Sequence, residues 1–501
     1  MEHPNVISLD DSANVESVKV KFEGLKHVNS SYLNFYNKKF ENIKDMGSLL
    51  QAVKGVHEGL ISTGIFSDVI PYITTDPEVK SKVDVKFHCI ENKFHYTIGS
   101  SVNKKGRIGV EASAYIPGIF GSLSTAKLNF EASGQQSGEC GASIFTPNIF
   151  GSNFNMLYNI YKTMIDHRQT SSYTEKSFGG ILRISDMFGR NSICFESRAR
   201  DTVTTKSPSN NEDNLSSFAS ILKIPNQSIK NSIGYSWNRI KQHNLSTDQD
   251  NLFIEKSIES LEYIGEQQEP IPSMTITQLS SEYAGLNGDV TFLKFQGFHK
   301  WRGSFAKYID IKFVRNLNFE FNMAFGILLP NIFSSGYPLV STIHDRFFIG
   351  GNFGYYNCLR GFAARGIGPC ELRYDSNQEQ IGTSKPIYDY LGGEGFSLAE
   401  FQISYPLKLD FLKFGIMRPH LTGFISAASI IEKTKDFIKP KCDIDRCAIL
   451  LQGLRASTGI GLMFPINSAN LSVTLSTPLK YCHTDLLENV QLGIRLAYSP
   501  I

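Results

Sequence analysis

The chain has 501 residues, with 50 Lys or Arg against 48 Asp or Glu, so its formal net charge is +2. That balance excludes a nucleic-acid binder working by phosphate neutralisation. Charged residues at 20%, with 41 Gly, 36 Phe and 21 Tyr, describe many short strands and turns and exclude disordered, collagen-like and coiled-coil chains. No run approaches the roughly 18 apolar residues of a membrane-spanning helix. The mean hydropathy of −0.17 still leaves room for a membrane β-barrel, whose alternating strands average to near neutrality.

Residues 1–16 form a tail carrying Asp10, Asp11 and Glu16, and no basic and then apolar secretory signal is visible in it. Residues 17–92 read as a small α+β domain. From Ser17 the sequence SVKVKFEGL alternates Val18, Val20 and Phe22 with charged residues, which predicts a half-buried strand. From Ser48, the positions Leu49, Leu50, Val53, Val56, Leu60 and Ile61 fall at helical spacing and predict one buried stripe, stopped by Gly64. Alternating runs from Phe66 to Ile73 and from Val83 to Ile90 add two strands around the turn-rich TTDPEVKSK.

Beyond residue 92 no amphipathic helix is needed, and strand-like segments recur to the end. In one of them Ala126, Leu128, Phe130 and Ala132 share one parity, and Thr125, Lys127, Asn129 and Glu131 the other. The last segment sets Val490, Leu492, Ile494, Leu496 and Tyr498 against Gln491, Gly493, Arg495, Ala497 and Ser499. A soluble sandwich alternates too, but a shared core of that size needs many fully apolar segments, whereas here the polar face persists in nearly every strand. Strands are placed near 94–102, 106–116, 122–133, 138–146, 152–166, 178–187, 191–203, 228–240, 274–286, 288–301, 308–329, 395–406, 418–429, 455–465, 470–480 and 489–499. The expected fold is an all-β transmembrane barrel of 16 antiparallel strands over residues 93–501, preceded by the small α+β domain. Long connections near 204–227, 241–273, 330–394 and 430–454 predict one rim of large loops and one of short hairpins.

The connection from Pro330 to Glu394 carries HDRFFIGGNFGYYNCLRGFAARGIGPCELRYD, in which Phe347, Phe348, Phe353, Tyr355, Tyr356 and Phe362 are interleaved with glycines. So many aromatics require a docking surface, and the barrel lumen is the place for it. There Arg360 needs an acidic partner once removed from water. In the strand at 395–406, Ser397, Ala399, Phe401, Ile403 and Tyr405 take the lipid-facing parity, so Glu400 and Gln402 point inward. The alternative reading makes Arg360 a turn residue in a glycine-rich loop.

DRFFIGG, then LRGF at Leu359, Arg360, Gly361 and Phe362, then GIGP at Gly366 to Pro369, resemble a loop of the outer-membrane β-barrel assembly superfamily, in the version of the mitochondrial sorting and assembly machinery. SSEYAGLNGDVTFLK, from Ser280 to Lys294, is similar to that family as well. The resemblance implies that Arg360 docks on Glu400, with Ser426 standing where a second acidic or amide partner of the arginine is common. It also implies that residues 17–92 are one polypeptide-transport-associated (POTRA) domain, LISTGIFSDVIPYI resembling its helix end and second strand. A single such domain without a visible signal favours the mitochondrial branch.

Gln491, Gly493, Leu496 and Tyr498 fit polar-x-Gly-x-x-hydrophobic-x-hydrophobic, which resembles the sorting signal of mitochondrial barrel proteins. Gly493 weakens the strand and permits a bend, so its pairing with the first strand, around Phe94, Tyr96, Thr97 and Ile98, is expected to open as a lateral gate. An open seam exposes N–H and C=O groups that an incoming strand can satisfy. The implied function is insertion of β-barrel precursors into the mitochondrial outer membrane, with the N-terminal domain in the intermembrane space. The implied partners are precursors, accessory subunits and membrane lipids, without nucleic acid. The alternative within the superfamily is a protein-translocation pore or passive channel.

An enzyme is not expected: GxSxG, P-loop, HExxH and GxGxxG motifs are missing from the sequence, and the 11 His lack metal-ligand spacing. Neither a cofactor nor a metal is called for. The 8 Cys are too sparse for a disulfide scaffold; Cys442 and Cys447, the pair nearest in sequence, are read as free thiols, the alternative being a loop disulfide or metal pair.

Overall fold

The computed structural model describes residues 15–41, 43–75, 82–102, 108–133, 137–149, 152–204, 226–242, 273–305, 316–330, 341–352, 357–372, 388–407, 419–435, 451–466 and 469–496. The chain divides into two compact units, one of residues 1–99, 111–130 and 140–160, the other of residues 100–110, 131–139 and 161–501.

In the first unit, strands β1 (Ser17–Glu23), β2 (Phe66–Thr75) and β3 (Lys82–Glu91) form a sheet in the order β1-β3-β2, parallel between β1 and β3 and antiparallel between β3 and β2. Pro71 lies in β2, on the edge, where its missing N–H costs no ladder bond on the open side. A short helix α1 (Asn34–Asn37) precedes the long helix α2 (Met46–Ile61). The α2 N-terminus is set by Asp45, whose carboxylate accepts the Ser48 N–H at 3.0 Å, and Gly64 follows the helix at φ +70°. Leu49, Val53, Val56 and Leu60 are buried as the spacing requires, against Val85 and Phe87 of the sheet. Leu50 and Ile61 are not part of that stripe: both lie at its margin and are 37% exposed.

The main sheet has sixteen strands in the described residues. They are β4 (His95–Val102), β5 (Ile108–Ile116), β6 (Thr125–Ser133), β7 (Ser137–Thr146), β8 (Phe154–Asp166), β9 (Tyr173–Asp186), β10 (Asn191–Thr204), β11 (Gln227–Gln242), β12 (Met274–Ala284), β13 (Phe292–Ser304) and β14 (Asn318–Pro330), then β17 (Gly395–Pro406), β18 (His420–Ile431), β19 (Leu454–Ile466), β20 (Ala469–Lys480) and β21 (Val490–Leu496). A one-turn helix α3 (Arg168–Ser171) joins β8 to β9, and the small pair β15 (Cys370–Leu372) and β16 (Tyr388–Tyr390) sits inside the long connection between β14 and β17. Each strand is hydrogen-bonded to its sequence neighbours in the sheet, and β4 and β21 stand at the two ends of the order, with no described pairing closing one on the other.

Along the strands one face is apolar and exposed while the other is polar and buried. In β17, Ser397, Ala399 and Phe401 are exposed and Leu398, Glu400 and Gln402 buried; in β6, Leu128 and Phe130 are 48% and 54% exposed. This inverts the pattern of a water-soluble sheet and matches a lipid-facing wall. The expected division into a long-loop and a short-loop rim holds only in part. Antiparallel alternation places the connection between β11 and β12 at the opposite strand ends from those following β10, β14 and β18.

Candidate functional site

The connection after β14 packs on the buried face of the sheet within the second unit. Leu359 and Phe362 are fully buried among Phe347, Ile349, Ile367, Phe396 and Ile430, giving the loop a hydrophobic seat. That seat fixes the polar side chains between them. Arg360 is 2% exposed; its Nε donates to Glu400 Oε2 at 3.1 Å and its Nη2 to Gln402 Oε1 at 2.9 Å, with Nη2 also 2.9 Å from Glu400 Oε2. The guanidinium carbon lies 3.5 Å from the centroid of the Phe424 ring in β18. Glu400 in turn accepts from Asn322 Nδ2 of β14 at 3.3 Å. Both charges are buried, so the pair holds because geometry and added hydrogen bonds offset desolvation.

Ser426 reaches the motif by another route than the one expected. Its hydroxyl pairs with that of Ser457 in β19 at 2.9 Å, and Ser457 donates to the Arg360 carbonyl. The second side chain on the guanidinium is Gln402, which the alternation of β17 placed inward.

From Arg360 the loop runs onto the end of the sheet. The Gly361 N–H donates to Gln491 Oε1 at 2.9 Å, and Gln491 Nε2 donates to the Phe362 carbonyl at 2.7 Å. Gly361 takes φ +90°, and an added Cβ would lie 3.2 Å from that of Ser457. Backbone bonds from Glu488 to Gly361 and from Ala363 to Leu486 tie the motif to the segment before β21. Asn352, 2% exposed, donates to Ser472 Oγ at 3.3 Å and Thr474 Oγ1 at 3.4 Å in β20, and lies against Gly493 of β21.

A second ionic anchor was not foreseen. Asp345 makes a bidentate pair with Arg200 of β10 at 2.8 and 2.9 Å, and His344 Nδ1 sits 3.1 Å from Glu175 Oε2 of β9. Burial pushes the Asp345 carboxyl up, but the hydrogen bonds and charge of Arg200 outweigh it and hold the group well below the usual carboxylate range. The parity of β10 carried the signal for half of it: Glu196, Arg198, Arg200 and Thr202 share the polar face. The same loop thus touches β9 and β10 as well as β17 through β21, which requires the second unit's part of the sheet to curl around it.

Of the expected gate residues, Tyr96 and Ile98 are 71% and 70% exposed on β4, Phe94 just before it is 58% exposed, and Thr97 is exposed also. Gln491 and Gly493 are buried on β21. Leu496 is the last residue of β21; Tyr498, like Phe353, Tyr355, Tyr356, Cys442 and Cys447, lies outside the described residues. Among the described residues no group of His, Cys, Asp or Glu is arranged to hold a metal, and no helix is long and apolar enough to cross a membrane.

The Omp85 superfamily domain matches residues 119–496. Solved structures similar to this one include BamA from Haemophilus ducreyi lacking POTRA domains 1–3, at a TM-score of 0.66 and 18% identity over 96% of this chain and 84% of that one. CdiB from Acinetobacter baumannii has a TM-score of 0.48 and 11% identity over 96% and 74% of the two chains, and CdiB from Escherichia coli 0.47 and 10% over 95% and 75%. No curated protein sequence matches the chain. The likeness to BamA is one of fold. The match over most of its length places the chain in the Omp85 superfamily, a family of outer-membrane β-barrels that serve assembly or transport and are not enzymes.

Proposed function

We propose that this protein inserts β-barrel precursors into the mitochondrial outer membrane, as the central barrel subunit of a sorting and assembly machinery, through a lateral gate between β4 and β21. Residues 93–501 form the barrel and residues 17–92 a POTRA-like domain in the intermembrane space, with residues 1–16 a tail. The observation that carries the reading is that the first and last strands are the two ends of a sixteen-stranded sheet, while the Leu359–Phe362 loop is braced on the strands leading to β21. An edge strand in a membrane has unsatisfied backbone groups, and a client strand that pairs with them lowers the free energy of both. Strand pairing and lipid burial of the client supply the driving force, so neither nucleotide nor cofactor enters. Partners are precursors, accessory subunits and lipids.

The test is a crosslink from Thr97→Cys to a Cys in a precursor's last strand. Trapped intermediates that appear during insertion and resolve afterwards support the gate. Precursors that pass through the interior without ever being trapped there overturn it in favour of the translocation pore. Protease protection of residues 17–92 in intact mitochondria tests the location.

A further inference from the structure

Two connections in the first unit share one sequence and one geometry. Residues 116–122 read IPGIFGS and residues 146–152 read TPNIFGS. They follow β5 and β7, two strands apart in the sheet order and therefore at the same strand ends. In each, the serine N–H donates to the isoleucine carbonyl, Ser122 to Ile119 at 3.0 Å and Ser152 to Ile149 at 2.9 Å, and the serine hydroxyl donates to the same carbonyl at 2.7 and 2.6 Å. Each serine hydroxyl also accepts an N–H from two residues on, that of Ser124 in one turn and Phe154 in the other. Gly118 and Asn148, at matching positions, both take positive φ, +67° and +50°. Both turns are bonded to the α+β domain: the Asn29 N–H donates to the Gly121 carbonyl at 2.8 Å, and Asn148 Nδ2 donates to the Tyr36 hydroxyl at 2.9 Å.

At the first turn two apolar side chains have opposite surroundings. Leu123 is 6% exposed within the apolar core of the α+β domain, whereas Phe120 is 95% exposed, the most exposed large apolar side chain among the described residues. Phe120 also sits at φ +54°, which a bulky side chain adopts only at a cost. A position chosen for its backbone alone would carry glycine or asparagine, as 118 and 148 do. The adjoining wall identifies what covers the ring. β5 and β6 have nine residues each, about 30 Å along the strand and about 23 Å in height at a tilt of about 40°, against an apolar band of about 25 Å. The turn between them therefore lies at the edge of the hydrocarbon. The exposed apolar face of Val110 and Ile116 in β5, and of Leu128 and Phe130 in β6, runs to that edge.

We propose that the Phe120 turn is a lipid anchor: the ring inserts at the boundary of headgroups and acyl chains in the leaflet on the side of the α+β domain, and through Asn29 and Leu123 it fixes the height of that domain at the membrane surface. The occupant is phospholipid. Transfer of the ring out of water offsets the left-handed backbone that presents it. The inference rests on the sheet lying in a membrane and not on the gate.

The experiment places p-benzoylphenylalanine at position 120 of the full chain, reconstituted in phosphatidylcholine vesicles. Irradiation is expected to add one phospholipid mass to the peptide containing residue 120, in a yield comparable to that of the same probe at position 130 on the lipid-facing wall. Products without lipid, or joined only to protein, overturn the inference. A second measurement separates the ring from the backbone. Phe120→Asn relaxes the left-handed turn, so a ring without lipid on it would leave the Asn29 amide exchanging as slowly as in the parent, or more slowly. With the anchor in place, Phe120→Asn is expected to speed that exchange several-fold in the vesicles, and Phe120→Leu, apolar on the same strained backbone, to restore most of the protection. Exchange that Phe120→Asn leaves unchanged or slows overturns the anchoring. Neither measurement involves Thr97 or β21, so the gate reading is decided separately by its own crosslink.

Discussion

The interiors of the two units differ in how much charge they bury. In the first, Leu33, Leu49, Val56, Leu60, Val85 and Phe87 are removed from water entirely, and charged groups stay outside. In the second, Arg200, Asp345, Arg360, Glu400 and Gln491 are buried, while Phe178, Ile193, Val490 and Leu492 of the same sheet are 60%, 45%, 65% and 59% exposed. The first fold is driven by apolar burial. The second has its outward apolar surface facing lipid, and its interior loop is fixed by a small apolar seat around Leu359 and Phe362 together with a set of directional polar contacts. Directional contacts define one geometry, but each fails when a single partner is lost.

The largest effect expected from that contrast is at the arginine pair. Arg360→Ala or Glu400→Ala leaves the other charge buried, at a cost of about 3–5 kcal/mol. The double variant should be little worse than either single one, since both remove one interaction. Urea unfolding in lipid, read by heat-modifiable gel migration, measures all three. Additive losses would mean that the two side chains stabilise the fold independently. In the first unit the corresponding test is Leu49→Ala, expected to cost about 2–5 kcal/mol through lost burial and a cavity. Its hydrogen exchange should rise in α2 and the β1-β3-β2 sheet, with the Arg360 contacts unchanged.

How far these features were legible follows from periodicity. Parity along 395–406 places Glu400 and Gln402 on the inner face, and the same rule puts a segment on each of the sixteen strands, though β9 begins five residues earlier than expected and β14 is described only from Asn318. Parity states which face a residue occupies and is silent about what covers that face. The Arg200 to Asp345 pair, Asn352 above Gly493, and the route of Ser426 through Ser457 all depend on the path of an aperiodic loop. Gly493 illustrates the limit: it reads in sequence as a weak point that lets the strand bend, whereas in the structure its missing side chain makes room for Asn352. In α2, six apolar positions gave a stripe of the right phase but one too wide, because Leu50 and Ile61 lie where the sheet no longer covers the helix.

A smaller effect sharpens the comparison inside the loop itself. Gly361→Ala puts a side chain on backbone at φ +90° and presses on Ser457. The backbone term alone is about 1–2 kcal/mol. The expected outcome is a loop that still seats Phe362 but loses the Gln491 bond, seen as faster exchange of the Gly361-position amide with the fold intact. A loss as large as that of Arg360→Ala would mean that the backbone turn, and not the ion pair, holds the loop.

The smallest effect lies in the first unit, at a polar contact on its surface. The Glu91 carboxylate accepts from the backbone N–H groups of Lys26, His27 and Val28 at 2.9 to 3.1 Å. Partial burial acts to raise its pKa, but these bonds together outweigh it, and the group sits below its ordinary value of 4.5. A carboxyl with a depressed folded pKa contributes stability that is present in full above the unfolded value and is lost as the pH falls through the folded one. The amides of residues 26–28 should therefore lose protection below about pH 4.5, after correction for intrinsic exchange, and Glu91→Gln should remove that pH dependence. Because Glu91 is largely solvated, α2 should stay folded throughout that window. Melting of α2 together with the 26–28 segment would show that this surface carboxylate, and not the apolar core, controls the unit's stability in acid.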